Sequence, residues 1–258
     1  MTIDFDVDAE GIATVCINRP ERMNALDAAA YGDLSDAWVR VRDDPGIRVA
    51  IITGAGERSF CVGADLKDFV TAPAGLPDLW LTQKGQLLNR GLQVWKPIVA
   101  AVNGYCLGGG LTLLFATDIR VAVREATFGL SEVKRGIIPG NGGTQRVMAN
   151  LPYPIAMEMV LTGEPMDAET AARWGLVNRV VERADLMDVA RHYATVLARN
   201  APLAVQASKE LAIRSRDLDL DSGMRLEQVL NRILQFSDDA VEGPRAFAER
   251  RPPDFGGR

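Results

Sequence analysis

Alternating apolar and polar positions open the chain. Residues 2–8 and 11–18 alternate on either side of Ala9-Glu10-Gly11, which predicts a hairpin of two strands ended by Asn18-Arg19-Pro20. Asp27 stands at an N-cap position before AAAYGDLSDAWVRVRDD, a predicted helix of about 15 residues closed by Pro45-Gly46. Alternation then gives way to continuous apolar runs. Val49-Ala50-Ile51-Ile52-Thr53, Pro97-Ile98-Val99-Ala100-Ala101-Val102 and Ile119-Arg120-Val121-Ala122-Val123 read as strands, the first two buried on both faces. A Pro/Gly-rich surface loop is expected over 71–79, followed by a helix of roughly 16 residues that runs up to Trp95. Residues 129–147 are rich in loop formers, a last long helix is predicted over about 220–236, and a short helix follows Gly243 before a fraying tail. Strand and helix units recur every 40 to 50 residues or so in the first half, which points to an α/β core built by repetition and an all-helical C-terminal third.

Composition narrows the function classes. The chain has 258 residues, 47% of them hydrophobic and 24% charged, and a formal net charge of −5. No basic stripe suggests a nucleic-acid partner, since Arg245, Arg250, Arg251 and Arg258 lie among acids. No apolar run is long enough to cross a membrane, and the opening MTIDFDVDAEG is acidic and strand-like rather than a signal peptide. A cytoplasmic protein without membrane association is the expectation. The three cysteines, Cys16, Cys61 and Cys106, are far apart in apolar sequence and fit buried, reduced thiols. Only one histidine exists, His192, within a helical pattern that suits a surface or interface position. Triads and histidine-based metal sites would have to depend on it, so no metal is expected.

The candidate chemistry lies in residues 96–118, KPIVAAVNGYCLGGGLTLLFATD. A buried strand passes through Asn103-Gly104 to Gly108-Gly109-Gly110, where an apolar helix begins. Bare backbone N–H groups at such a start suit an anion, or an oxygen that becomes one during reaction. Leu111-Thr112 follows, with no strong acid, base or nucleophile.

Six segments in order resemble the crotonase, or enoyl-CoA hydratase/isomerase, superfamily. They are NRPERMNALD (18–27), SFCVGADLKDF (59–69), KPIVAAVNGYCLGGG (96–110), ATFGLSEVKRGIIPGNGGTQR (126–146), LTGEPMDAETAARWGLVNRVV (161–181) and EGPRAFAERRPPDF (242–255). The resemblance covers nearly the whole chain. It implies an α/β fold, a spiral of ββα units over residues 1–200, with a C-terminal helical trimerisation region over 201–258. It also implies a homotrimer or a hexamer made of two trimers. The substrate class would be acyl-CoA thioesters, with no cofactor beyond the coenzyme A of the substrate itself. Two backbone N–H groups, carried over to Ala64 and Gly109, would stabilise a thioester enolate.

Family hydratases use two glutamates. The second matches Glu132 in Phe128-Gly129-Leu130-Ser131-Glu132, where an apolar pocket would raise its pKa and suit proton exchange at carbon. At the first position this chain has Thr112, which can hydrogen-bond a water or substrate oxygen but is no base at neutral pH. Glu132 would then be the sole acid/base. That fits double-bond isomerisation, or hydration or cleavage of a specialised branched or aromatic enoyl thioester, or a non-catalytic acyl-CoA-binding member. Dienoyl-CoA isomerases need an aspartate where this chain has Gly140. For the coenzyme A moiety the resemblance implies backbone contacts from 22–26, notably Ala25, and from Ala64, Asp65 and Leu66. Arg22, Lys67 and Arg250 or Arg251 are the candidate phosphate contacts. Asp65 and Asp118 fall at positions usually read as structural or CoA-loop residues. The acyl pocket would be shaped by the 71–95 region, with Trp80 and Trp95, and by the C-terminal helices.

Overall fold

A computed structural model of the protein describes residues 2–65 and 86–258. The opening hairpin is present as β1 (Ile3–Val7) and β2 (Ile12–Ile17), paired antiparallel. Asp27 caps α1 (Ala28–Asp43) by accepting a 2.8 Å hydrogen bond from Ala30 N–H. The apolar runs form β3 (Val49–Gly54) and β5 (Ile98–Val102), in which every residue is buried. Such runs have no solvent face, as expected of central parallel strands.

Two sheets share the strands in alternation. The larger has the order β1-β2-β3-β5-β7-β10, with β7 at Ile119–Val123 and β10 at Arg179–Val181. The smaller is β4-β6-β8-β9, from Ser59–Cys61, Tyr105–Leu107, Thr127–Gly129 and Met166–Asp167. Each successive pair, β3 then β4, β5 then β6, β7 then β8, gives one strand to each sheet. This is the ββα spiral that the resemblance implies. The strands of the smaller sheet had no expectation behind them, because segments of three residues show no periodicity.

The helices are α2 (Gly109–Leu114), α3 (Gly143–Asn150), α4 (Tyr153–Thr162), α5 (Ala168–Arg173), α6 (Leu186–Arg199), α7 (Pro202–Arg214), α8 (Leu220–Leu234) and α9 (Asp238–Glu249). Three expectations need correction. A helix does not reach Trp95: Gly91 takes φ +86°, and Leu92 N–H closes back on Leu87 O at 3.1 Å, so the chain turns there. The 129–147 region is not simply loop, since it holds a 3-10 turn at Glu132–Arg135 and the start of α3. The last helix is longer than expected and runs through Gly243 and Pro244. The expected 71–79 loop lies outside the described residues.

One buried side chain joins the N-terminal strands to the site. Asn24 is fully buried, with φ +57°. Its Nδ2 donates to Ser59 O at 2.7 Å and Ala55 O at 3.0 Å, and its Oδ1 accepts from Arg19 N–H at 2.9 Å. Asn24→Ala leaves these backbone groups unpaired, at about 1–3 kcal/mol for each buried group orphaned. Urea unfolding is expected to show a lowered midpoint, and an unchanged midpoint contradicts this.

Candidate active site

Two loops converge at the start of α2. The first is held by a parallel bridge between Leu26 and Ala64: Leu26 N–H donates to Gly63 O at 2.8 Å, and Asp65 N–H donates to Leu26 O at 2.9 Å. Residues 63 and 65 spend these groups on Leu26, so the N–H of Ala64 faces the other way. The second loop carries Gly108, at φ +52°, and its N–H is tied to Gly129 O at 2.8 Å.

The two segments touch at their backbones. A Cβ on Gly63, itself at φ +92°, would lie 2.6 Å from Gly109 N. A Cβ on Gly109 would lie 3.1 Å from Gly63 Cα and 3.5 Å from Ala64 N. Gly110 packs as tightly, because its Cβ would meet Cys61 O at 2.1 Å. Only glycine permits this approach, which sets the Ala64 and Gly109 N–H groups side by side. Neither has a hydrogen-bond partner among the described residues, and both residues are only half-buried.

Arg120 secures the far end of α2. It is buried and donates to Phe115 O at 3.3 Å, Thr117 O at 3.1 Å and Leu176 O at 3.1 Å. A cation at a helix C-terminus meets free carbonyls and the negative end of the dipole.

Glu132 begins the 3-10 turn after β8. Its Oε1 would lie 3.1 Å from a Cβ on Gly108, so the carboxylate sits over the glycine triplet. Its Oε2 is buried with no partner among the described residues. Burial raises its pKa above the ordinary glutamate value, against the lowering effects of a backbone hydrogen bond and the Arg135 charge. Beside this turn lies a cavity of ≈ 400 Å³ bordered by Leu107, Gly129, Ser131, Lys134, Arg135 and Pro165, among others.

Thr112, one turn into α2, is fully buried. Its hydroxyl donates to Gly109 O at 2.9 Å and accepts from Asn89 Nδ2 at 3.0 Å. Its role is therefore tied to Asn89, a residue the sequence had not marked.

The implied coenzyme A residues differ in their surroundings. Ala25 is buried beside the Leu26–Ala64 bridge, and its carbonyl accepts from Arg19, which also pairs with Asp27 at 2.6 Å and Asp65 at 3.8 Å. Arg22 is exposed at the end of the Pro20–Arg22 turn. Arg250 ends α9, and Arg251 is engaged by Glu242 and Glu249. Leu66, Lys67 and Trp80 lie outside the described residues. Asp118 is structural, receiving Ile98 N–H and Lys209 Nζ at 2.7 Å each. His192 is exposed on α6. Burial raises the thiol pKa of Cys16 to about 11 and of Cys61 to about 12, and lifts that of Cys106 well above the ordinary value. Among the described residues no cluster of three or more His, Cys, Asp or Glu could hold a metal ion, and no helix is long and apolar enough to cross a membrane.

Comparison with known proteins decides the family. Residues 8–258 match the family profile described as enoyl-CoA hydratase/isomerase. The chain belongs to the enoyl-CoA hydratase/isomerase family. It is 46% identical over 246 residues to (E)-benzylidenesuccinyl-CoA hydratase of Thauera aromatica, covering 95% of this chain and 96% of that one. It is 43% identical over 253 residues to carnitinyl-CoA dehydratase of Proteus mirabilis, covering 96% and 95% respectively. Among solved structures, an enoyl-CoA hydratase of Bacillus anthracis superposes with a TM-score of 0.92 at 32% identity, covering 100% of both chains. One of Mycobacterium marinum gives 0.91 at 39%, covering 100% of this chain and 99% of that one. As a member of the enoyl-CoA hydratase/isomerase family, the chain is an enzyme, a lyase or an isomerase.

The raised Glu132 pKa has a consequence for stability. A carboxyl whose folded-state pKa lies above its unfolded value costs stability when ionised, and the cost disappears below the unfolded value. Glu132→Gln is therefore expected to melt above the native protein at pH 8, with the gap closing toward pH 4. Equal gaps at both pH values contradict the burial of this group.

Proposed function

We propose that the enzyme hydrates an enoyl-CoA thioester, or dehydrates the corresponding 3-hydroxyacyl thioester, through an enolate held by the Ala64 and Gly109 N–H groups with Glu132 as sole acid/base. The observation that carries this reading is the buried, unpaired Oε2 of Glu132 above the glycine triplet. A carboxylate oxygen left without a donor in a desolvated place is costly to the fold and useful to a reaction.

The chemistry balances with one acid. Water oxygen bonds to C3 while a water O–H bond breaks and its proton passes to Glu132. The C2–C3 π electrons move onto the thioester oxygen, which the two N–H groups stabilise. Glu132 then returns its proton to C2, giving the 3-hydroxyacyl thioester and restoring the carboxylate. A neutral thioester oxygen gains charge only in this sequence, so donors fixed beforehand act mainly on the barrier; one such donor is worth about 2.7–4 kcal/mol.

Hydratase and dehydratase names among the relatives favour water addition and removal over a double-bond shift. An isomerase reading also needs a single acid, and Thr112 supplies no second one. A purely binding role leaves the Glu132 carboxylate unexplained. For the coenzyme A moiety, the 22–26 and 63–65 segments, joined at Leu26 and Ala64, support backbone recognition next to the thioester. Residues 201–258 are proposed as a trimerisation region. In the single chain α7 and α8 bury no residue, while Phe236 is 82% and Phe247 87% exposed.

Glu132→Gln is expected to lower kcat/KM on a 2-enoyl-CoA by roughly 10²–10⁴-fold, the usual contribution of a positioned acid/base. Thioester binding persists, and loss of absorbance at the enoyl thioester band reads the rate. Unchanged turnover contradicts the mechanism.

A further inference from the structure

A second unpaired acceptor lies close to the glycine triplet, on Asn89. The residue is 6% exposed, in the turn before Gly91. Its amide orientation follows from the hydrogen bonds. Gly109 O is a carbonyl and can only accept, so the single Thr112 hydroxyl proton is spent there. Thr112 Oγ1 can then only accept from Asn89, which requires Nδ2 to face it, at 3.0 Å. The threonine is wedged as well, since a Cβ on Gly143 would lie 2.6 Å from its Cγ2. Asn89 Oδ1 is thereby turned away from Thr112. It is buried and has no partner among the described residues.

Besides Trp38 Nε1, the buried side-chain atoms without partners among the described residues are Asn89 Oδ1 and Glu132 Oε2. Both are acceptors, and both belong to residues anchored on the glycine triplet, one through Thr112 and Gly109, the other over Gly108. A water molecule has two protons to donate and a lone pair to attack with. We propose that Asn89 Oδ1 holds the attacking water, sharing it with Glu132, and later receives the hydroxyl of the 3-hydroxyacyl product. This rests on the hydration reading above. The pairing divides the work of two acids: the amide orients the water but cannot take its proton, so that proton goes to Glu132 alone. Thr112 acts as a positioning residue that sets the amide.

The test pairs two reactions on the same proteins. Hydration of a 2-enoyl-CoA needs the water; exchange of the C2 proton of a saturated acyl-CoA with deuterated solvent needs the two N–H groups and Glu132 but no attacking water. Asn89→Leu is expected to lower kcat for hydration by roughly 10²-fold, the cost of a misplaced reactant, with KM and the exchange rate nearly unchanged. Asn89→Asp is expected to move the acidic limb of the hydration pH profile upward, because a second carboxylate facing the same water disfavours ionisation of Glu132. Unchanged hydration and an unmoved profile overturn the role of Asn89 while leaving Glu132 in place. Parallel loss of hydration and exchange in Asn89→Leu also overturns it, since that marks a residue that only supports the fold. If the native enzyme exchanges C2 protons but does not hydrate, the water site falls with the hydration reading; if Glu132→Gln retains exchange, the acid/base reading fails first.

Discussion

The structure depends on one close approach, backbone against backbone, between Gly63 and Gly109. A Cβ on Gly63 would come within 2.6 Å of Gly109 N, so no side chain can enter without moving one loop. That contact brings together two N–H groups in the segments that follow β4 and β6, strands of the smaller sheet. Much of the surrounding structure restrains it. The Leu26 bridge fixes which way Ala64 N–H points, Gly108 is tied to β8, Cys61 backs Gly110, and Arg120 holds the end of α2. The proposed enolate donors need this restraint, because donors that must reorganise during reaction lose much of their effect.

Glu132 is the one acid held over the glycine triplet by the described contacts, and burial opposes its ionisation. In the proposed hydration, with Thr112 in place of a second acid, the proton that leaves the water and the proton that reaches carbon pass through one carboxylate. Such a carboxyl is partly desolvated, with one oxygen unpaired among the described residues, and its raised proton affinity would suit exchange with carbon.

Legibility in the sequence followed the length and regularity of each signal. The fully buried β3 and β5 were plain as apolar runs, and the Asp27 cap was plain from chemistry. The smaller sheet was not, since three residues carry no period, yet it supplies the strands that lead to both donors. Apolar residues at 87, 88, 92 and 94 resembled a helical face, but they are buried around a turn that Gly91 enforces. Glu132 and the glycines stood in motifs with distinctive neighbours. Asn89 had none: its interest comes from a hydroxyl proton committed elsewhere and an amide oxygen left over, which only coordinates reveal.

The most direct measurement is a crystal structure of the protein with a bound acyl-CoA thioester. The thioester oxygen is expected at about 2.7–3.1 Å from both Ala64 N and Gly109 N, with C2 facing the Glu132 carboxylate. A thioester oxygen bound away from those two N–H groups, or a C2 turned away from Glu132, contradicts this.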